Sequence, residues 1–386
     1  MTVKRVWSSD AALQEDLERI AGADTINWER FRGKRVLVTG ATGLIGSIAA
    51  RALVCAIVEY ALDLKVVALG RSVVKGRAKL GAFVEDGLEL VCGDILSPIV
   101  VDGPVNFILH GASVTASKTF VDQPVETILT TFEGTRNLLE LAKEKQVESM
   151  VYFSSMEIYG TPDPEHYAEI PSQKALKEDG QSAERGRTAA IMRETDYGYI
   201  DPLQPRSSYS EGKRIAEGLC AAYAHEYGVP VKSVRLAQTF GAGIPKSENR
   251  VFAQFARSIL EGRDIVLHTD GSKAHCYCYT TDAVLGILTV LLRGTNGEAY
   301  NISNEETYCT IREMAEMLIA RYPKSGSRLV FDIPEDANAY GYAPSSRMLI
   351  CSEKARGLGW KAEVALPEMF ERLMRSMTGG RTVSEE

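Results

Sequence analysis

The feature that most constrains this 386-residue chain is the passage from Val36-Leu37-Val38-Thr39 into Gly40-Ala41-Thr42-Gly43-Leu44-Ile45-Gly46. A short apolar run ends on a glycine, and a helical stretch from about Leu44 to Tyr60 begins four residues later. In a G-x-x-G-x-x-G loop the first two glycines let the main chain turn tightly and approach a pyrophosphate. The third lets helix and strand pack closely, with the amides of the helix start facing the phosphates. A glycine triplet alone is weak evidence, and the strand-to-helix context gives it weight. Gly40, Thr42, Gly43, Leu44, Ile45 and Gly46 are therefore candidate contacts to a dinucleotide.

The pattern continues in the same rhythm. KVVALG, LELVCGD, VNFILHGAS and SMVYFSS are short apolar runs separated by helical stretches, including one from about Val125 to Lys145. Such runs read as buried parallel strands, which predicts an α/β fold: a Rossmann doubly wound parallel sheet with a smaller C-terminal α+β substrate lobe. The boundaries expected are 1–33 for an N-terminal helical extension, 34–240 with about 275–303 for the dinucleotide domain, and 241–274 with 304–386 for the substrate lobe. Leu13, Leu17 and Ile20 stand at helical spacing in the extension, which should pack on the catalytic fold or on a partner subunit. From about Thr161 to Gln204 the rhythm breaks, with Pro162, Pro164, Pro171 and many charges. Two readings stand for it: an insertion over the site entrance, or a disordered loop.

A formal charge of −7 argues against nucleic acid or an anionic membrane as partner, since both select clustered Lys and Arg. Cys276 and Cys278 form C-x-C, not a redox or zinc spacing, and the other five cysteines are scattered, so structural thiols, no metal site and a reducing cytoplasm are expected. The first twenty residues carry charges throughout, unlike a secretory signal or a membrane span.

Where many NAD enzymes end the second strand on an acidic residue, this chain has Gly70 followed by Arg71. Arg71 could pair with a 2′-phosphate or lie along the adenine, so NADP stays open beside NAD. Asp94-Ile95, after the third strand, is placed to meet the adenine, and His110-Gly111-Ala112, after the fourth, to line the inner ribose and phosphates.

Tyr209 and Lys213 stand four residues apart in SSYSEGKRIAE, on one face of a helix. An ammonium beside a phenol should lower the phenol's pKa so that it can take a proton from a sugar hydroxyl as hydride leaves the same carbon. Y-x-x-x-K is common by chance; the upstream glycine loop, and Ser155 at the end of SMVYFSS, turn it into a catalytic set. Ser155 should hydrogen-bond the reacting oxygen.

GATGLIG, the GD-I segment, HGAS, FEGTRNLLELA, SSMEIYG and YSEGKR together resemble the extended short-chain dehydrogenase/reductase family, in its NAD-dependent epimerase/dehydratase division, over about residues 34 to 375. PRSSYSEGKRIAEGLCAAY and DGSKAHCYCYTTDAVLGIL look most like the UDP-glucuronate decarboxylase branch, with sugar 4,6-dehydratases next. The resemblance implies a nucleotide-sugar enzyme that transiently oxidises C4 with tightly bound NAD and then decarboxylates or dehydrates. A 4-epimerase, a net oxidoreductase and a non-catalytic dinucleotide sensor are the alternatives. Glu157 stands at the dehydratase Glu position, while the neighbouring acid of the dehydratases is Met156, a thioether that cannot donate a proton. Two anion-recognition positions depart from the branch: Ala274-His275 replaces Thr-Arg, and Gln238 replaces an asparagine. Arg250 and Arg347 match positions that hold the diphosphate; Ser113, Met156, Gln238 and His275 complete the expected substrate-binding set. The family also implies a homodimer through the helices near 125–145 and 208–227.

Overall fold

The computed structural model describes residues 5–170, 187–245, 247–334 and 346–379. The chain opens with α1 (Ala11–Ala21), then runs β1 (Arg35–Thr39), α2 (Leu44–Glu59), β2 (Lys65–Gly70), α3 (Val73–Leu80), β3 (Leu88–Cys92), β4 (Phe107–His110), α4 (Ser117–Asp122), α5 (Pro124–Glu144) and β5 (Ser149–Ser155). The middle carries β6 (Tyr167–Ile170), β7 (Arg187–Met192), α6 (Ser208–Tyr227), β8 (Val231–Leu236) and β9 (Gln238–Phe240). Then follow α7 (Val251–Leu260), β10 (Ile265–Leu267), β11 (Ala274–Tyr279), α8 (Thr280–Arg293), β12 (Ala299–Ile302) and β13 (Asn304–Thr310). The chain closes with α9 (Ile311–Arg321), β14 (Leu329–Phe331), β15 (Arg347–Ile350), α10 (Glu353–Gly357) and α11 (Leu366–Met377).

Seven strands form one sheet in the order β12-β8-β5-β4-β1-β2-β3, every pair parallel. The apolar runs are buried on both faces because helices cover both. α1, α2 and α8 pack on one side and α5 and α6 on the other. Strand order changes direction at β1 and β4, so a crevice opens beyond their carboxyl ends, where ligands bind in folds of this kind. The expected doubly wound sheet is thus the fold observed.

The N-terminal extension packs on its own chain. Leu13, Leu17 and Ile20 are buried in the core shared with α2 and α8, and Asp10 caps α1 by accepting from the Leu13 amide at 3.2 Å. Asp16, fully buried on the same helix, accepts from the Tyr279 hydroxyl at 2.7 Å and pairs with Arg372 at 3.3 Å. Burial pushes its carboxyl up to about 7, against the pull of Tyr279 and Arg372.

A second sheet runs β13-β11-β15-β7-β6, with β9 paired to β11. The 275–303 stretch divides: β11 lies in this second sheet, whereas α8 and β12 join the first. The irregular stretch after Thr161 contributes β6 and β7, antiparallel to each other, and β7 lies parallel to β15; its residues 171–186 lie outside the described residues. The stretch is tied to the sheet floor by polar contacts. Thr161 and Tyr199 exchange main-chain bonds at 2.8 and 2.9 Å, and Arg214 donates to the carbonyls of Ile158 at 2.7 Å and Gly198 at 2.6 Å. Arg235, 1% exposed, reaches Glu217 at 2.8 Å, the Tyr159 and Tyr197 hydroxyls at 3.1 and 3.0 Å, and the Glu194 carbonyl at 2.8 Å. A buried guanidinium is tolerated because its donors are met.

Candidate active site

The glycine loop is shaped as its spacing requires. Gly40 has φ 67°, and a Cβ there would lie 2.6 Å from the Gly111 carbonyl carbon; a Cβ on Gly46 would lie 2.4 Å from the Gly40 oxygen. Only glycine allows β1, β4 and the start of α2 to approach so closely. Thr42 and Gly43 are exposed at the mouth, and Leu44 and Ile45 open α2 half-buried. A cleft beside the loop is lined by Ala41, Thr42, Gly70, Ser72, Val73 and Leu90. A side-chain-free cradle before a helix start fits a dinucleotide's pyrophosphate.

The flanking candidates divide. Arg71 is exposed after β2, and Asp94 is partly exposed, its carboxylate accepting from the Leu96 amide at 3.0 Å. Gly111 and Ala112 are held against β1, their amides donating to the Thr39 carbonyl and hydroxyl, each at 3.2 Å. Two expectations need correction. His110 does not line the cleft: it is 1% exposed and its ring bridges Thr39 Oγ1 at 2.7 Å and Thr135 Oγ1 at 3.2 Å, joining β1, β4 and α5. Burial foremost, then Lys213, holds its pKa down to about 3, so it is neutral. Ile95 turns its side chain into α5, where a Cβ on Gly134 would meet its Cδ1 at 2.4 Å.

Tyr209 and Lys213, on α6, and Ser155, at the end of β5, come together as expected. The Tyr209 hydroxyl is a polar neighbour of Ser155, and Lys213 Nζ donates to the Phe153 carbonyl at 2.7 Å, 5.7 Å from the Tyr209 ring centre. The expected lowering of the phenol is corrected: it is pushed up to about 12, by burial first and by Glu157 second, against Ser155, Arg206 and Arg250. Lys213 is itself driven down to about 7 by burial, opposed by Glu217 and Cys220, so that only about half its charge remains at neutral pH.

Glu157 sits on the one-turn helix Met156–Tyr159 directly after β5. Arg206 grips it with both terminal nitrogens, Nη1 to Oε2 at 3.0 Å and Nη2 to Oε1 at 3.2 Å, and Ser210 Oγ donates to Oε2 at 3.4 Å. Phe120 of α4 stacks on Tyr209 at 4.4 Å, and the Arg206 guanidinium lies 5.1 Å over the same Phe120 ring. Lys273, just before β11, interacts electrostatically with both Glu157 and Arg206. Arg206, Phe120 and Lys273 escaped the reading of the sequence. PRSSY had placed Arg206 beside Tyr209, but Phe120 and Lys273 are brought to the site only by the fold.

Of the expected substrate contacts, Arg250 starts α7, is held by Glu248 at 3.0 and 2.7 Å, and stands within electrostatic reach of Tyr209. Gln238 is half-buried on β9, Ser113 is half-buried and donates to the Val114 carbonyl at 3.3 Å, and Arg347 is exposed, donating to the Ser272 carbonyl at 3.3 Å. Two others are turned away from this role. Met156 is 3% exposed in an apolar cluster with Ile158, Met192, Ala237 and Met348. His275 is 7% exposed, and burial, then Lys273, depresses its pKa to about 3, so it carries no charge.

Comparison with known proteins agrees with this geometry. The sequence is 28% identical over 347 residues to UDP-glucuronic acid decarboxylase 1 of Danio rerio, covering 89% of this chain and 72% of the relative. It is 28% identical over 316 residues to the UDP-N-acetyl-alpha-D-glucosaminuronate decarboxylase of Bacillus cytotoxicus, covering 80% and 86%. Among solved structures, the dTDP-glucose 4,6-dehydratase DesIV of Streptomyces venezuelae, with NAD bound, superposes with a TM-score of 0.68 at 24% identity, covering 90% of this chain and 98% of that one. Among the described residues no helix is long and apolar enough to cross a membrane. The model of the NAD dependent epimerase/dehydratase family matches residues 36–303, from the strand that feeds the glycine loop to the strand that closes the large sheet, and the chain belongs to that family of NAD-dependent enzymes.

Proposed function

We propose that this enzyme decarboxylates a nucleotide-linked uronic acid, of which UDP-glucuronate is the reference case, after transient oxidation at C4. The observation that carries the reading is the clustering of Ser155 and Glu157 about Tyr209, with Met156 buried where dehydration would call for an acid. Gly40, Gly43 and Gly46 would hold the pyrophosphate of NAD. When bound, NAD supplies a hydride acceptor at C4 and a positive charge that favours the phenolate. Tyr209 takes the C4 hydroxyl proton, and Ser155 holds the reacting oxygen and shares the developing charge. The ketone makes C6 the carboxylate of a β-keto acid. Its C5–C6 bond then breaks, CO2 leaves, the electron pair passes into an enolate, a proton returns to C5, and the hydride taken in the first step would return to C4 as Tyr209 gives its proton back to the C4 oxygen. Lys213, anchored on Phe153, fixes the helix face that carries Tyr209. The names of the relatives support this choice over dehydration. Mass spectrometry of UDP-glucuronate incubated with the enzyme tests it: loss of 44 mass units marks decarboxylation, whereas loss of 18 marks dehydration and an unchanged mass with shifted retention marks epimerisation.

We also infer a homodimer through α5 and α6. These helices pack together and leave Val125, Ile128, Leu129 and Ile215 between 39% and 61% exposed, which apolar residues on packed helices rarely are unless a partner covers them. A cytoplasmic setting fits the seven cysteines, all free thiols and six of them buried.

A further inference from the structure

Charge around Glu157 is unequal. Arg206 chelates this carboxylate, Lys273, its ammonium pulled down by burial, lies within electrostatic reach of it, and His275, on β11, is buried and neutral. The guanidinium offers five donors, of which Glu157 takes two. Phe120 lies under both the guanidinium and the Tyr209 ring, so the two groups stand on one aromatic spacer. In a pyranose, C6 hangs from C5, the carbon next to C4. A sugar whose C4 hydroxyl meets Tyr209 therefore carries its C6 group into the neighbourhood of that spacer.

We propose that Arg206 and Lys273 form the recognition site for the C6 carboxylate, with Glu157 and Phe120 holding the guanidinium in plane to receive it. The assignment rests on the uronic-acid reading above and names the residues that select the acid over the neutral sugar. Arg206 presents a flat fork matched to two carboxylate oxygens, and Lys273 adds a point charge that His275 cannot supply. Because Glu157 already occupies one edge of the fork, the remaining donors are oriented before the substrate arrives and less side-chain freedom is lost on binding.

The test is calorimetric titration of the NAD-loaded full chain with UDP-glucuronate and with UDP-glucose, for wild type, Arg206→Ala and Lys273→Gln. Each variant is expected to weaken UDP-glucuronate by about 10- to 100-fold, the range of a lost charge-assisted hydrogen bond, and to leave UDP-glucose within about threefold. Arg206→Lys should recover part of the loss. Equal weakening of both sugars would assign these side chains to the nucleotide or to Glu157 and overturn the proposal. A wild type that prefers the acid, with variants that keep the full preference, overturns this inference alone. A wild type that does not distinguish the two sugars removes the uronic-acid reading and the inference with it. Should Arg206→Ala unfold when Glu157 loses its partner, Lys273→Gln, which breaks no ion pair of Glu157 with Arg206, decides the matter.

Discussion

The Arg206 guanidinium closes on the Glu157 carboxylate through two bonds, at 3.0 and 3.2 Å, and so joins the start of the helix that carries Tyr209 to the end of the strand that carries Ser155. On the proposed reading, Glu157 so fixed handles the proton at C5 of a sugar oxidised at C4. Glu157→Gln should leave C4 oxidation intact and slow the later step about 10²- to 10⁴-fold, the usual contribution of a positioned proton-transfer group. Stopped-flow absorbance should show reduced nicotinamide forming and persisting while CO2 release stalls. Undiminished CO2 release would remove Glu157 from the chemistry.

Tyr209→Phe removes the hydroxyl that neighbours Ser155 and should abolish turnover while NAD stays bound. With the phenol held near 12 by burial, an ultraviolet titration of NAD-free protein should show one tyrosinate fewer in the variant, and only at high pH. Turnover within about tenfold of wild type would mean that another base serves C4.

Gly46→Ala forces a Cβ to within 2.4 Å of the Gly40 carbonyl oxygen, and main chain cannot yield as a flexible side chain can. A loss of roughly 1–3 kcal/mol in stability is expected from the overpacking, together with loss of co-purifying NAD. Thermal denaturation and the 260 to 280 nm absorbance ratio read the two effects; a variant that keeps its NAD contradicts the cradle.

Asp16 titrates near 7 when folded and near 3.8 when unfolded, so between those values the folded state binds more protons. Its contribution to stability is complete below about pH 4 and is lost as the pH rises through 7. The melting temperature of wild type minus that of Asp16→Asn should therefore fall from pH 4 to pH 7 and level off above it. A difference that widens across this range would show the carboxylate to be better paired with Arg372 than its burial suggests.

Ile128→Asp and Leu129→Asp place charges on the apolar face of α5, where the parent side chains are 39% and 45% exposed. The wild type should sediment as a dimer and the double variant as a monomer. Equal sedimentation of both proteins would place the contact elsewhere.

The large sheet, the glycine loop and the meeting of Tyr209, Lys213 and Ser155 could be read from the chain itself because each rests on local periodicity. Apolar runs of strand length mark buried strands, glycine spacing marks a tight phosphate turn, and four-residue spacing sets two side chains on one helix face. What such spacing cannot carry is the balance of burial against charge. Lys213 stands near Tyr209 in sequence and in space, yet the phenol rises because desolvation outweighs any help from a neighbour that is itself half-neutralised. Nor can it carry contacts between elements distant in the chain. Phe120 under Tyr209, Lys273 within electrostatic reach of Glu157, His110 locked between Thr39 and Thr135, and Arg235 fastening the 161–204 stretch to α6 all join segments that only folding brings together. The chain's local order determined which chemistry is available, and tertiary packing decided which side chains face the cleft and in what charge state, because solvent access and through-space charge depend on the whole fold.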